Sequence, residues 1–188
     1  MNKLENGKYL NRLYDDFSNL FKNQTQILES SVKLSYLVPK KEKIYFRDLI
    51  DILIIVSSKI SKIQSRDIET IEKFIVYLKH TQLFDDNASS LNEIKITLIK
   101  IAKRINFSLW LYEQFLKIKK PKLIIVEDGH YLGYITILLA AKKLGIKTAE
   151  YQHGYMGLAH PAYNYHTNIF KDIQPFLPEY LLTHGEVS

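Results

Sequence analysis

The 188 residues of the chain are enough for one sizeable domain, and a hydrophobic content of 46% is typical of globular proteins. Cysteine is absent, which excludes a disulfide framework, thiolate metal ligands and a cysteine nucleophile, and fits a reducing compartment. The formal charge is +6, from 26 basic against 20 acidic residues, and the basic residues are mostly lysines scattered along the chain, a pattern typical of solvated helix faces.

The sequence contains no segment that predicts a membrane span or a signal peptide. The longest strongly apolar run, residues 52–56, is far shorter than the roughly 20 residues that a membrane helix needs. Residues 1–7 lack the charged-then-apolar order of a signal peptide. We therefore expect a cytoplasmic protein. An alternative role for the scattered lysines is contact with acidic glycan or with acidic lipid at the inner membrane surface. No arginine-rich run occurs, so we predict no nucleic-acid partner.

The first 120 residues show mostly helical spacing. Residues 24–29 are a short candidate strand. Apolar residues three, four or seven apart predict an amphipathic helix with a thick buried face over residues 45–63. The same kind of spacing predicts a second helix over residues 65–83, and one long helix or two shorter ones over residues 91–118.

The last third of the chain has the pattern of a parallel sheet. Residues 123–126 are a continuous apolar run, which suits a strand buried on both faces. Residues 134–144 predict a helix that Gly145 ends, and residues 146–151 predict the next strand. This order is a βαβ unit, whose strands are parallel and whose crossover is right-handed. Residues 180–183 predict a third strand.

We therefore predict an α/β fold, with a Rossmann-like parallel sheet flanked by helices. The chain is expected to be a single domain over residues 1–188, with a mostly helical part over 1–120 and a part over 121–186 that holds the βαβ unit and the site. Ligands of open parallel sheets bind beyond the carboxyl ends of the strands. The residues at these ends are Glu127-Asp128-Gly129-His130, Gln152-His153-Gly154 and His184-Gly185-Glu186.

Histidines are concentrated in the same region. A neutral imidazole at a strand end can take a proton from a hydroxyl group or hold a phosphate, although each could equally satisfy only a local hydrogen bond. His153 is favoured because Gly154 lets backbone amides approach a ligand closely. The histidine spacings match no metal-binding pattern, so we predict no metal site and no cofactor. Five of the six histidines of the chain lie in this region, and they are His130, His153, His160, His166 and His184.

Two further features could contribute to a site. The acidic pair Glu127-Asp128 could orient His153 or act as a base, and could also be only a polar strand end. The loop over residues 154–165 is rich in aromatic and hydrogen-bonding side chains, which suits stacking on sugar rings and equally suits an ordinary interface. The glycine patterns of dinucleotide-binding loops, phosphate-binding loops and serine hydrolases do not occur.

Four stretches of the chain resemble bacterial GT-B glycosyltransferases, in particular those that build capsular and other cell-surface polysaccharides. The teichoic-acid polymerases are more distant relatives of the same kind. The resemblance covers about residues 119–186. The stretches are KLIIVEDGHY from Lys122, AAKKLGIKTAEYQHG from Ala140, HPAY from His160 and LPEYLLTHGE from Leu177.

The resemblance implies the acceptor-side Rossmann-like domain of a two-domain enzyme, which would transfer a sugar or a polyol phosphate from a nucleotide carrier to a glycan hydroxyl. The glycan acceptor would bind this domain, and the nucleotide sugar would bind mainly a second domain beyond Glu186, so we expect this chain to be inactive alone. His153, Glu127 and Asp128 are the catalytic candidates. The substrate-binding candidates are His130, Gln152, Gly154, His160, Tyr163, His184 and Glu186.

Two other interpretations stay open. A non-catalytic module, either truncated or partner-binding, would bind no glycan and would not respond to the substitution His153→Ala. Another enzyme of GT-B type, such as a nucleotide-sugar epimerase, would also need a second domain.

Overall fold

The computed structural model describes most of the chain, and its residues divide into two compact units. The first unit is Met1–Val56 and the second is Ser57–Ser188. The prediction of one Rossmann-like domain over the whole chain stays a prediction. The described residues are 3–5, 8–10, 14–21, 24–29, 44–81, 88–127, 129, 132–152, 164 and 167–183.

The first unit contains short strand pairs and a short helix. Strands β1 and β2 are antiparallel, whereas β3 and β4 are parallel. The strand predicted within residues 24–29 is confirmed as β3. The elements are β1 (Lys3–Glu5), β2 (Lys8–Leu10), α1 (Tyr14–Leu20), β3 (Ile27–Glu29) and β4 (Ile44–Phe46).

Helix α2, Asp48–Ile60, begins later than the sequence predicts because the residues before it pair in β4. Arg47 is hydrogen-bonded to the first turn of α2, because its guanidinium Nε and Nη2 donate to the two carboxylate oxygens of Asp51 at 3.0 and 3.1 Å. Asp48 and Asp51 also place negative charge at the positive end of the helix dipole. These local interactions fix where the helix starts.

The thick buried face predicted for α2 is wrong. Leu49 is 67% exposed and Ile60 is 81% exposed, and the buried residue of this helix is the polar Ser57. The physical reason is that periodicity reports which side of a helix is apolar, whereas burial needs another element packed on that side.

The helices predicted in the second unit are confirmed, and the stretch predicted as one or two helices over 91–118 is a single long helix. Ile71 and Ile75, one turn apart on α3, are buried, as is Leu91 near the start of α4. Lys95 on α4 bonds to Glu72 on α3 at 2.5 Å. The helices are α3 (Ser65–His80), α4 (Ala88–Lys119), α5 (Leu132–Lys143) and α6 (Thr167–Ile173), and a 3-10 turn follows at Gln174–Phe176.

Helices α4 and α5 pack side by side and run in the same direction. The Ser108 hydroxyl donates to the Thr136 hydroxyl at 2.9 Å, and both side chains are buried. Five residues further along α4, the Glu113 carboxylate accepts from Lys143 Nζ at 2.6 Å. Residue numbers therefore rise together on the two helices. Tyr112, which lies between Ser108 and Glu113 in the sequence of α4, is 2% exposed.

The described part of the second unit holds three parallel strands in the order β5-β6-β7. The predicted βαβ unit and third strand are thus confirmed. Leu123 at the start of β5 is 42% exposed, so β5 is less buried than the sequence predicts, because it lies at the edge of this sheet. The strands are β5 (Leu123–Val126), β6 (Lys147–Tyr151) and β7 (Tyr180–Leu182).

Gly145 ends α5 as the sequence predicts. Its φ is +70°, a left-handed conformation that glycine adopts without steric cost. Its N–H donates to Lys142 O at 3.0 Å, and the N–H of Ile146 donates to Ala141 O at 2.9 Å, which is the Schellman arrangement. The chain therefore turns directly from α5 into β6.

The architecture is a helix-rich α/β protein with a small parallel sheet. Among the described residues, no helix combines the length and the apolar character that crossing a bilayer requires.

Lys142, in the last turn of α5, holds the segment that leads into β7. Its Nζ donates to Gln174 O at 3.2 Å, to Pro175 O at 3.1 Å and to the carbonyl of Leu177. The Lys142 ammonium therefore joins the end of α5 to the 3-10 turn. Burial lowers the pKa of Lys142, and the nearby Glu179 carboxylate partly offsets this change.

The substitution Lys142→Met should loosen the start of β7. Three carbonyl groups lose a charged donor, which we expect to lower the free energy of unfolding by about 1–2 kcal/mol. Amide hydrogen exchange should show faster exchange at Tyr180, Leu181 and Leu182. Lys171→Met, on the exposed surface of α6, is the control and should leave these rates unchanged. Equal exchange rates in both variants would contradict this role of Lys142.

Stability should also depend on pH through Lys142. Because its pKa is lower in the folded chain, the unfolded chain binds more protons at pH values between the folded pKa and the ordinary lysine value of 10.5. The free energy of unfolding contributed by Lys142 should therefore rise as pH increases through that window. Urea titrations at several pH values should show a smaller rise for Lys142→Met than for the unsubstituted chain and for Lys171→Met.

Candidate functional site

The sheet register brings the carboxyl ends of the three parallel strands to one edge. Val126 of β5 pairs with Glu150 of β6, and Glu150 pairs with Leu181 of β7. Beyond the last pair, the N–H of Gln152 donates to Leu182 O at 2.9 Å. The residues that follow β5 and β6, Glu127 and Gln152, are therefore close in register, and both are half-buried. The structure thus places two of the predicted site residues at the carboxyl ends of neighbouring strands.

The other predicted site residues lie outside the described part of the chain. Their roles in catalysis or substrate binding stay predictions. They are Asp128, His130, His153, Gly154, His160, Tyr163, His184 and Glu186.

Gly129, in the turn after β5, lies against the carboxylate of Glu150. A Cβ atom at this position would lie 2.9 Å from Glu150 Oε2 and 2.9 Å from Pro178 Cγ. Neither distance leaves room for a methyl group, so only glycine fits here without a shift of its neighbours. Gly129 is itself buried. The turn after β5, the middle strand and the segment before β7 therefore meet at one carboxylate.

Glu150 is a buried carboxylate near the candidate site that the sequence analysis did not single out. It lies in β6, the middle strand, and is only 3% exposed, beside Thr148 and Ala149, which are 0% and 1% exposed. Glutamate is rarely buried to this degree unless it has a partner. The signal available in the sequence was a carboxylate within a predicted strand of a parallel sheet, where both faces are expected to be buried.

The segment before β7 is fixed to β6 by its backbone. The N–H of Glu179 donates to both oxygens of Thr148, to the carbonyl at 3.1 Å and to the hydroxyl at 3.2 Å. Because Thr148 is buried, these bonds are shielded from water. They position Pro178, the residue before Glu179, where its ring lies next to Gly129.

The chemistry that this edge offers is that of carboxylate and amide groups. Glu127 and Glu150 supply carboxylates, which accept hydrogen bonds and can take a proton from a hydroxyl group. Gln152 supplies an amide that both donates and accepts. Within the described ranges, no three histidine, aspartate or glutamate side chains come together as metal ligands would. The prediction that the protein uses no metal stays a prediction.

No family model, curated protein or solved structure matches this chain. The resemblance to GT-B glycosyltransferases therefore stays an expectation from the four stretches quoted above.

The substitution Gly129→Ala should destabilise the fold through contact with Glu150 and Pro178. Overpacking of this kind costs about 1–3 kcal/mol, and urea unfolding should measure it. Gly145→Ala is the matched control, because its Cβ would meet no atom within 4 Å and its cost, about 1–2 kcal/mol, comes from positive φ alone.

A double-mutant cycle separates the two causes. In a Glu150→Ala background the carboxylate is gone, so Gly129→Ala should cost less than in the unsubstituted chain, whereas the cost of Gly145→Ala should not change. If Gly129→Ala costs the same in both backgrounds, the carboxylate does not limit the size of residue 129.

Proposed function

We propose that this chain is the acceptor-side domain of a GT-B glycosyltransferase that transfers a sugar from a nucleotide sugar to a cell-surface polysaccharide acceptor. The observation that carries the proposal is the common edge at which β5, β6 and β7 end, because polar residues of the predicted site follow directly from these strands. The chain by itself binds the glycan, and turnover requires the donor-binding domain.

Glu127 and Gln152 make the edge suitable for a sugar. A carboxylate and an amide at the ends of neighbouring strands can accept from and donate to hydroxyl groups of one ligand. Both residues are half-buried, so such bonds would be partly shielded from water. The hydrogen bond from Gln152 N–H to Leu182 O fixes the end of β6. The carboxylate and the amide favour a ligand with several hydroxyl groups.

The reaction needs a base for the acceptor hydroxyl. His153 follows Gln152 in the sequence, and Glu127 and Asp128 follow β5. One of these groups takes the proton as the acceptor oxygen attacks the anomeric carbon of the donor sugar. The bond from that carbon to the nucleotide phosphate breaks at the same time, and the nucleotide leaves with the electron pair. Groups of the second domain would stabilise the phosphate charge of the leaving nucleotide.

The complete enzyme would act at the cytoplasmic face of the inner membrane. The net charge of +6 and the scattered lysines support contact with acidic lipid.

A second candidate function is a partner-binding module without catalysis. The observation that favours it is the exposure of four large apolar residues in α6, the 3-10 turn and β7, since exposed apolar surface is common at protein interfaces. These residues are Phe170, Phe176, Tyr180 and Leu181, which are 44%, 42%, 50% and 45% exposed.

A glycan-binding experiment tests the proposal. The ¹⁵N-labelled chain is titrated with capsular and other surface-glycan oligosaccharides and followed by two-dimensional NMR. We expect shifts at the amides of Glu127 and Gln152. Glu127→Gln and His153→Ala should each weaken binding by about tenfold or more, as loss of a hydrogen bond to a charged group does. Glu93→Gln, on the exposed side of α4, is the control and should bind normally.

If no glycan shifts any amide signal of a chain whose amide spectrum is well dispersed, the proposal is contradicted. The partner-binding function would then be preferred. If glycan binds and neither Glu127→Gln nor His153→Ala weakens the binding, the glycan binds elsewhere on the surface.

A further inference from the structure

One side of α4, called here its outer side, exposes the tryptophan of the chain. The sequence has one tryptophan, Trp110, and its side chain is 53% exposed. Its ring lies against that of Phe107, with the ring centroids 5.6 Å apart and the ring planes tilted by 37°. Ile118, about two turns further along the helix, is 77% exposed. Burial of these apolar side chains against a partner would be favourable.

The opposite side of the same helix is buried. Tyr112 and Leu116 are each 2% exposed, and the Ser108 hydroxyl donates to Thr136 of α5. Trp110 is two residues before Tyr112, which corresponds to about 200° around a helix of 3.6 residues per turn. The aromatic pair therefore lies on the side of α4 that faces away from its contact with α5.

Lysines flank the aromatic pair on the outer side of α4. Lys103 and Lys117 are seven residues before and seven residues after Trp110, and this spacing of about two turns puts all three on one stripe of the helix. Lys117 is exposed and Lys103 is half-buried. Over residues 94–119 the one carboxylate in the sequence is Glu113, which is 8% exposed and accepts from a lysine of α5. The outer side of this half of α4 is therefore both apolar and positively charged.

We propose that the outer side of α4 docks on a membrane surface that contains acidic phospholipid. The residues that make the contact are Lys103, Phe107, Trp110, Lys117 and Ile118. Tryptophan favours the boundary between headgroups and acyl chains, where its ring is in apolar surroundings and its N–H keeps a partner. The two lysines, each about 10 Å from the indole along the helix axis, attract the phosphates of the headgroups. The helix lies along the surface, and the contact does not depend on the transferase reaction.

Charge and shape favour lipid over a glycan or a protein segment as the occupant. Lysine is a point charge on a flexible stem, which suits phosphate groups that move within a lipid surface and have no fixed geometry. The outer side of a single helix is convex, so it presents its side chains to a flat surface. Sugars and helical peptides, in contrast, bind mostly in clefts and grooves.

Because Trp110 is the single tryptophan, its fluorescence reports the contact directly. The full chain is titrated with vesicles of equal parts phosphatidylglycerol and phosphatidylcholine. We expect the emission to shift to shorter wavelength and acrylamide to quench it less, since the indole leaves water. Vesicles of phosphatidylcholine alone should bind about tenfold more weakly or less, and added salt should weaken binding to the acidic vesicles because it screens the attraction.

Paired variants test the lysines. Lys103→Gln combined with Lys117→Gln should weaken binding to the acidic vesicles by about tenfold or more, since each lysine near an acidic surface contributes about fivefold. Lys62→Gln combined with Lys79→Gln removes the same charge from exposed positions outside α4 and is the matched control. Its affinity should change by about twofold at most, because screening limits the effect of charges far from the surface.

A second pair of variants tests the aromatic contact by vesicle sedimentation. Trp110→Ala should weaken binding by about tenfold or more, because the largest apolar group of the contact is lost. Tyr77→Ala removes a 63% exposed aromatic ring from α3 and should bind as the unsubstituted chain does.

The proposal is overturned if acidic vesicles leave the emission of Trp110 unchanged, or if the α4 variants bind as their controls do. It is also overturned if soluble polygalacturonate shifts the emission as strongly as the vesicles, which would assign this surface to an acidic glycan. An emission shift that follows protein concentration without lipid would assign it to a second copy of the chain. If Trp110→Ala does not fold, the emission of the unsubstituted chain and the lysine variants decide. Failure here is separate from failure of the proposed function, which is tested at Glu127 and Gln152.

Discussion

The buried carboxylate of Glu150 is the constraint on which the sheet edge depends. A charged group that is 3% exposed is costly unless its surroundings satisfy it, so the elements around it have little freedom to move. Gly129 approaches it from the turn after β5, and Pro178 approaches it from the segment before β7. The positions at which the chain leaves β5 and enters β7 are thus set by one side chain of the strand between them.

Helix α4 packs on α5, the helix that connects β5 to β6. A buried hydroxyl pair and an ion pair hold the helices in one register, and Tyr112 and Leu116 of α4 are buried. A slip of one helix along the other would break both polar contacts at once.

The sequence was most informative where local pattern and tertiary structure agree. A continuous apolar run, a helix ended by Gly145 and a second run were sufficient to predict β5, α5 and β6, because parallel pairing follows from the crossover itself. The burial of α2 could not be predicted, since an apolar stripe does not contain its partner. Glu150 was missed for the opposite reason, because its burial is produced by segments far from it in sequence. For the candidate site, the structure places Glu127 and Gln152 at one edge, and the histidines stay predictions from sequence.

The two ends of the parallel strands differ in which substitutions they tolerate. At the edge where β6 begins, Gly145 must have positive φ, and the ammonium of Lys142 must reach the carbonyls before β7, so substitutions there would be paid for in stability. At the other end Gly129 is constrained as well, but beyond Gln152 the chain continues into a connection whose length and composition β6 does not dictate. In evolutionary terms, substitutions at one end of the strands disturb the fold, whereas the other end can change to bind a new ligand.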